Sequence, residues 1–384
     1  MQHSTWRAVG TTAATLAAAM GVGRFAFTPI LPLMVSGAGL TAASGAELAT
    51  INLVGYLVGA VIGIIAPRLT RSRLALRAVL IVLVLSLALM PVTHAFALWA
   101  VLRFVTGVAS AVLFVIAVAS LQSQLRGQGA HLIGWGFGGV GAGIAISGAL
   151  VLVLREFTNW ASAWIAVAAL AAVLGFFGWF LVPERVPGVQ VADARAGRAE
   201  RTGQSFAWAA VSYGLEGVGY IIAGTFLVAA IDENASGWVG DGAWVVVGLA
   251  AVPSTVLWGR LSARFTRPSL LVVALLVQAI GVALPALVPG IAPALVSAVL
   301  FGGTFIGITS LALGIGNELG FPRAIAVMTT GYSVGQIAGP IIVTPLVGGG
   351  YSVALLLAAA VLLVGAATAL VLRLGYPRRL AVAR

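Results

Sequence analysis

The sequence contains no cysteine and no lysine, and it has few charged residues of any kind. Without cysteine the chain has no disulfide bond and no thiolate-bound metal. Charged residues make up only 8% of its 384 residues, whereas apolar residues make up 61%. This composition excludes a single water-soluble globule and indicates a protein of the lipid bilayer. His3, His94 and His131 fall in predicted termini or loops, which favours separate polar residues at the membrane interface over a metal-ligand cluster.

Apolar runs of about 20 residues, the length that spans about 30 Å of hydrocarbon, recur along the whole chain. The predicted spans are 9–34, 46–66, 74–92, 96–121, 130–154, 160–182, 207–230, 243–259, 269–288, 292–316, 324–346 and 351–372. "TLAAAMG" in the first span could be read as part of a signal peptide, but the apolar run continues to Met34 and eleven spans follow. We therefore predict an all-α integral membrane protein with twelve transmembrane helices.

A net charge of +11 is typical of nucleic-acid binding. Whether it indicates nucleic-acid binding here depends on where the 21 arginines lie along the chain. Eighteen arginines lie in the even-numbered gaps between spans and in the two tails. In or beside the odd-numbered gaps lie a single arginine, Arg155, and acidic residues that include Glu47, Asp232, Glu233 and Asp241. Because arginine in short loops marks the cytoplasmic side, both termini are predicted to be cytoplasmic. We expect a multi-pass protein of the cytoplasmic (inner) membrane of a bacterium, with no nucleic-acid partner.

The chain repeats itself at an offset of 196 residues. "GVGRFAFT" from Gly21 resembles "GVGYIIAG" from Gly217, and Arg68 and Arg71 align with Arg264 and Arg267. Chance could supply glycine matches in this glycine-rich chain, but it does not readily supply arginines in register. The repeat predicts two parallel six-helix halves, 1–182 and 207–384, joined by a cytoplasmic linker at 183–206.

The loops after the second and eighth spans carry a recognisable motif. "GIIAPRLTR" from Gly63 and "GRLSARFTR" from Gly259 resemble the signature of the major facilitator superfamily, which is a glycine, three residues, Asp-Arg, one residue and Gly-Arg. The first glycine and both arginines match in each copy, but Pro67 and Ala263 occupy the aspartate position. The resemblance implies the major facilitator fold and a role in conformational gating for Gly63, Arg68, Arg71, Gly259, Arg264 and Arg267.

Longer stretches point to one branch of that superfamily. "GVGRFAFTPILPLM", "YGLEGVGYIIAGTF" and "GQIAGP" look like the YbfB/YjiJ-type branch, and this similarity covers nearly the whole chain. It implies a secondary transporter but identifies no substrate. Exporters of the superfamily carry a Gly-Pro motif in the fifth helix, where this chain has Ile144. The sequence therefore gives no support for export from that marker.

Three charged residues lie deep inside predicted spans. Arg24 is roughly 24 Å from the cytoplasmic end of the first span, Arg103 is about 10 Å from the opposite face in the fourth, and Glu216 is near 15 Å from the inner side in the seventh. Charge at this depth is costly and normally faces a cavity or a partner. At the offset of 196 residues Arg24 corresponds to Tyr220, so the two residues lie at the same depth. Tyr220 is one helical turn from Glu216 on the seventh span. We predict that Arg24, Arg103 and Glu216 belong to a substrate site near the midplane, and that Arg24 and Glu216 are coupled in substrate binding and proton exchange.

Structural roles for these three residues stay open at this point. Arg24 and Arg103 could snorkel, or could bond to carbonyls freed by Pro29, Pro32 and the nearby glycines. Glu216 could be a neutral acid hydrogen-bonded to a neighbouring helix.

Other polar residues within the spans are candidates for the same substrate site. Asn52 and Tyr56 lie one turn apart on the second span, Tyr213 and Tyr220 lie on the seventh, and Tyr332 and Gln336 lie one turn apart on the eleventh. Hydrogen bonds between helices are the alternative role for each of them. "GWGFGGVGAGIAISG" predicts close helix packing instead of a nucleotide loop, because it lacks a preceding strand and a following Lys-Ser/Thr.

These observations favour a secondary active transporter for a small organic molecule, anionic or drug-like, driven by proton coupling through alternating access. The alternatives are an uncoupled facilitator and a non-transporting, receptor-like helical bundle. No metal triad, nucleophile-base pair or Walker motif is present in the sequence, so an enzyme is disfavoured and no cofactor is expected. The expected partners are the substrate, H+ and the lipid bilayer, and the protein is expected to be a monomer.

Overall fold

The computed structural model describes residues 2–125, 130–183, 199–234, 238–321, 324–347 and 350–376. Within these ranges the chain is helical and contains no strand. The first half comprises α1 (Gln2–Leu16), a π-helical segment (Ala17–Val22), α2 (Phe27–Gly37), α3 (Ala42–Ile65), the short α4 (Pro67–Thr70), α5 (Arg73–Ala88), α6 (Phe96–Gln124), α7 (Ala130–Leu154) and α8 (Trp160–Gly178). The second half comprises α9 (Ala199–Asn234), α10 (Val239–Leu261), α11 (Arg267–Leu287), α12 (Ile291–Leu319), α13 (Ala324–Val343) and α14 (Tyr351–Leu374).

Each predicted span corresponds to a helix, with α1, the π-helical segment and α2 together forming the first. Eleven of the described spans are long and apolar enough to cross a membrane, and α13 is the twelfth helix of the fold. The all-α fold with twelve helices is therefore confirmed. Most of the predicted linker falls on residues 184–198, which lie outside the described residues, and α9 begins at Ala199, inside the predicted linker.

Helix starts follow local sequence signals. Thr41, Ser72 and Asn159 accept hydrogen bonds from the backbone N–H groups three residues ahead and so cap α3, α5 and α8. Gly290 and Gly350 precede α12 and α14 with φ of 122° and 110°, a region that disfavours side chains other than glycine. These signals mark where the helices begin.

The two halves meet along paired helices. α7 packs along α10, and α3 packs along α13. The glycine-rich stretch of α7 allows its backbone to approach α10 closely, since a Cβ at Gly141 would lie 2.6 Å from the carbonyl oxygen of Gly248. On the other face of α7, Gly143 packs against Gly21 of the first span. The stretch is a helix-packing surface, as the sequence predicts.

Candidate functional site

The first membrane span is interrupted in the middle of the bilayer. Its π-helical segment ends at Val22, residues 23–26 are turns, and α2 resumes at Phe27. Pro29 contributes to the break, because it has no N–H to donate to the carbonyl of Phe25, one turn earlier. α9 is continuous through the repeat-related residues 213–222. Interrupted helices at membrane depth occur where the backbone is buried in protein or lines a cavity, and π-helical segments are frequent at functional sites.

Arg24 lies at this break and connects the two halves. Its side chain is 6% exposed, and Nη2 donates a hydrogen bond to Oε1 of Gln336 on α13. The guanidinium carbon lies 4.8 Å from the centre of the Tyr56 ring and 5.1 Å from that of Phe25. Nε of Arg24 is buried without a hydrogen-bond partner among the described residues. The structure thus brings together three of the predicted residues, Arg24, Tyr56 and Gln336.

Arg103 is held against the same break from α6. Its Nη1 donates a 3.4 Å hydrogen bond to the carbonyl oxygen of Gly23, and its guanidinium carbon lies 4.6 Å from the centre of the Phe27 ring. Asn52 on α3 donates a 2.8 Å hydrogen bond to the backbone carbonyl of Arg103. This arrangement matches the structural alternative for Arg103, a cation bonded to a carbonyl that the helix break leaves free.

A cavity of about 20 Å³ separates these groups. Arg24, Arg103, Asn52, Thr28 and Thr225 contribute to its walls. This volume holds a water molecule but no metabolite. Beside the cavity, Thr28 Oγ1 donates a 2.5 Å hydrogen bond to the carbonyl oxygen of Gly224. Gly224 is the residue that corresponds to Thr28 in the second repeat. The halves are therefore closed around Arg24 in this conformation.

Glu216 is fully buried on α9 and is not paired with Arg24. Among the described residues neither carboxyl oxygen has a hydrogen-bond partner, and no cation forms an ion pair with it. Gln278 of α11 faces Glu216, and its amide is likewise buried without a geometrically acceptable hydrogen bond. Direct contact between Arg24 and Glu216, which the repeat register allows, is absent from this conformation because Arg24 bonds to Gln336.

An aromatic cluster occupies the region that adjoins both charges. We use this name for Phe25, Tyr213, Tyr220, Phe301, Phe305 and Tyr332. The rings of Tyr220 and Phe305 are 5.3 Å apart, and those of Tyr213 and Tyr332 stack at 4.3 Å. Tyr220 and Tyr332 lie close enough to both Arg24 and Glu216 to interact with their charges. The predicted tyrosines therefore lie together, in contact with two phenylalanines of α12 that were not predicted.

The candidate gating residues differ between the two repeats. Arg267 at the start of α11 forms an ion pair with Glu318 near the end of α12, and the Tyr376 hydroxyl donates a 2.7 Å hydrogen bond to the same carboxylate. Arg71, the counterpart of Arg267, is exposed and has no ion pair within the described ranges. The remaining members lie at the same ends of their halves: Arg68, Gly259 and Arg264 are exposed, and Gly63 is half-buried.

An ion-pair cluster at the opposite membrane face was not predicted as a site. Arg155, which follows α7, lies 2.6 Å from Oδ2 of Asp241 on α10 and 3.8 Å from Oδ2 of Asp232 on α9. The Asp241 side chain is only 2% exposed. We call these three residues the outer ion cluster, after the membrane face that the arginine distribution predicts to be outside. The sequence signal was present, since Arg155 is the lone arginine in the odd-numbered gaps and acids surround it there.

Comparisons with known proteins agree with this architecture. The structure is similar to a crystal structure of the nucleoside transporter NupG, with a TM-score of 0.69 and 16% sequence identity over 95% of this chain and 99% of that chain. A search of curated protein sequences gave no significant match. A family profile described as "Uncharacterised MFS-type transporter YbfB" matches residues 16–370. With twelve helices in two halves and this match over most of its length, the chain belongs to the YbfB-type family of major facilitator superfamily transporters.

Proposed function

We propose that this membrane transporter is a proton-coupled secondary active transporter that moves a small organic molecule by alternating access. The observation that carries the proposal is Glu216, a fully buried carboxyl group that faces the amide of Gln278 and has no ion pair among the described residues. A bare carboxylate in such a place is costly, so the closed conformation favours the neutral acid. Opening the space between the two halves to water would hydrate the group and allow it to release its proton. Glu216 would therefore exchange a proton once in each transport cycle.

The substrate site in this proposal lies between Arg24 and the aromatic cluster. Arg24 presents a guanidinium group suited to a carboxylate, a phosphate or a polar carbonyl. The rings of Tyr220 and Phe305 offer faces on which a planar group can stack. NupG is a nucleoside transporter, and at 16% identity its likeness supports the fold alone. We infer a small substrate with a planar part and an acidic or polar part, for which nucleosides and aromatic carboxylates are suitable probes.

Alternating access is supported by contacts that join the halves on the outer side of Glu216. The Arg24–Gln336 hydrogen bond, the Thr28–Gly224 hydrogen bond and the outer ion cluster all cross between the halves. An outward-open conformation must break them. Each is a polar contact that water can replace, which suits a reversible closure.

The test compares Glu216→Gln with the wild-type protein in proteoliposomes. Thermal-shift screening of nucleosides and aromatic carboxylates first identifies a bound compound. We expect the wild type to concentrate that compound under an imposed pH gradient. Glu216→Gln should lose this accumulation but keep exchange of labelled for unlabelled compound, because its permanently neutral side chain imitates only the protonated form. Glu233→Gln, on the same helix but with a carboxylate bonded to the backbone N–H of Tyr351 at the outer end, is the matched control.

The alternatives give different results. A Glu216→Gln protein that still concentrates the compound would refute proton exchange at this residue. A wild type that only equilibrates the compound would be an uncoupled facilitator. A wild type that binds a compound but shows no flux would be a non-transporting helical bundle.

A further inference from the structure

A second cavity, of about 360 Å³, opens at the end of the first half that the arginine distribution predicts to be cytoplasmic. It lies among α1, α5, the end of α6 and the segment that follows α8. Its lining residues are Arg7, Ala8, Thr11, Arg73, Arg77, Gln124, Trp179, Phe180, Leu181 and Val182. The volume is in the range of small-molecule sites, whereas the cavity beside Arg24 holds only water.

The charge of this cavity is strongly positive. Arg7, Arg73 and Arg77 give its lining a formal charge of +3, and no acidic residue is among the described residues of its wall. None of the three arginines forms an ion pair with a described carboxylate. Arg73 is also the first residue of α5, where the helix dipole adds further attraction for an anion. The cavity therefore attracts a negatively charged group.

Arg77 is held in place for such a contact. Its guanidinium carbon lies 4.9 Å from the centre of the Trp179 ring, and its Nε is buried without a hydrogen-bond partner among the described residues. This cation–π contact holds the guanidinium group beside the ring without using its N–H groups. Those N–H groups are free to bond to the oxygens of a phosphate group.

The rim of the cavity is suited to lipid. Phe180 in the wall is 47% exposed, as large apolar side chains are where they face acyl chains. Leu74, the residue after Arg73 in the sequence, is 78% exposed. Trp179 belongs to a residue type that concentrates at the level of lipid headgroups. An anion bound here would thus have apolar protein surface beside it, which a free inorganic ion does not need.

The second half does not repeat the polar and aromatic residues of this cavity. At the offset of 196 residues, the counterparts of Arg7, Arg73, Arg77, Gln124 and Trp179 are Gly203, Ser269, Val273, Gly320 and Gly375. The fold is built twice, yet the polar and aromatic residues of the cavity occur once. The symmetry of the fold therefore does not explain them.

We propose that this cavity binds the phosphate group of an anionic phospholipid from the cytoplasmic leaflet, with Arg73 and Arg77 as its main cationic contacts. Basic pockets between membrane helices on this side bind acidic headgroups in other proteins. The proposal does not depend on the transported substrate or on proton coupling.

The test is lipid binding by the purified, detergent-solubilised full chain. Native mass spectrometry counts bound dioleoylphosphatidylglycerol in the wild type and in Arg73→Gln/Arg77→Gln. Arg68→Gln/Arg71→Gln removes the same charge from the neighbouring loop and is the matched control. We expect phosphatidylglycerol binding to weaken about fivefold for each arginine removed from the cavity, hence about 25-fold in the first double variant, and to stay near wild type in the control.

Two further arms separate the sources of the phosphate group and test folding. Phosphatidylglycerol should raise the Tm of the wild type, because it binds the folded protein. Dioleoylphosphatidylcholine and inorganic phosphate should neither raise this Tm nor displace bound phosphatidylglycerol. If the double variant is unfolded, exposed Arg73 is replaced alone and should show the fivefold loss. Equal binding by the cavity variant and the loop control would overturn the site. Protection by inorganic phosphate without preference for phosphatidylglycerol would overturn the lipid assignment.

Discussion

Replacing Arg155 with alanine should shift the transporter toward its outward-open conformation. In the closed conformation Arg155 lies 2.6 Å from the Asp241 carboxylate, whose side chain is 2% exposed. Removing one partner of a buried ion pair costs about 3–5 kcal/mol, because the other charge stays buried and unpaired. Arg155 itself is 21% exposed, so we expect a smaller cost of about 2 kcal/mol in the closed state. Water would hydrate Asp241 in the open state, so the open population should rise about 30-fold.

The absence of native cysteine makes this population measurable. Thr225 lies in the wall of the cavity beside Arg24, and a Thr225→Cys variant is a close replacement in shape. An impermeant thiol reagent added from outside reaches this cysteine only when the outer side opens, so the labelling rate follows the open population. Arg155→Ala should raise the rate by up to about 30-fold. Glu156→Gln changes the adjacent, exposed charge and should leave the rate near that of the parent.

The same labelling experiment can distinguish two causes of faster labelling in Arg155→Ala. One is the unpaired, buried carboxylate of Asp241, and the other is a general loosening of the loop that contains Arg155. Adding Asp241→Asn to Arg155→Ala removes the unpaired carboxylate and should return the labelling rate toward that of the parent. If Arg155→Ala and Glu156→Gln label at equal rates, the outer ion cluster does not hold the transporter closed. If Asp241→Asn does not reverse the effect, the cost of the buried charge is not its cause.

Three further predictions concern other residues. Arg24→Ala breaks the bond to Gln336 and should weaken binding of an acidic compound at least tenfold. Arg24→Lys should recover only part of this affinity, because an ammonium group lacks the guanidinium fork. Isothermal titration calorimetry measures both affinities, and an unchanged affinity in Arg24→Ala would show that the role of Arg24 is structural. Arg267→Ala removes an ion pair to α12 and should slow transport severalfold in proteoliposomes. Arg71→Ala should transport at nearly the wild-type rate. Equal transport rates in the two variants would contradict the asymmetry between the repeats. Ser72→Cys should react with an impermeant thiol reagent only from the cytoplasmic side, and labelling from outside would reverse the predicted orientation.

Several parts of the site were visible in the sequence because depth in the bilayer follows from position in a span. Arg24, Arg103 and Glu216 are recognisable as buried charges once the spans are assigned, since about 1.5 Å per residue converts sequence position into depth. The aromatic cluster was only partly foreseen. Its tyrosines are polar and therefore noticeable within a span, whereas Phe301 and Phe305 are indistinguishable from lipid-facing residues until the rotation of α12 is known.

The sequence by itself determined the number of helices, their approximate ends and the internal repeat, because hydropathy and periodicity are local properties that a bilayer about 30 Å thick converts into span length. Only the tertiary structure decided the partners of the deep charges. Arg24 bonds to Gln336, a residue 312 positions away, and Glu216 has no ion pair in the part of the chain that the structure describes. Such pairings depend on how each helix is rotated and on which faces of the two halves meet. A hydropathy profile does not encode that rotation, because a span of the same composition satisfies the bilayer at any angle about its axis.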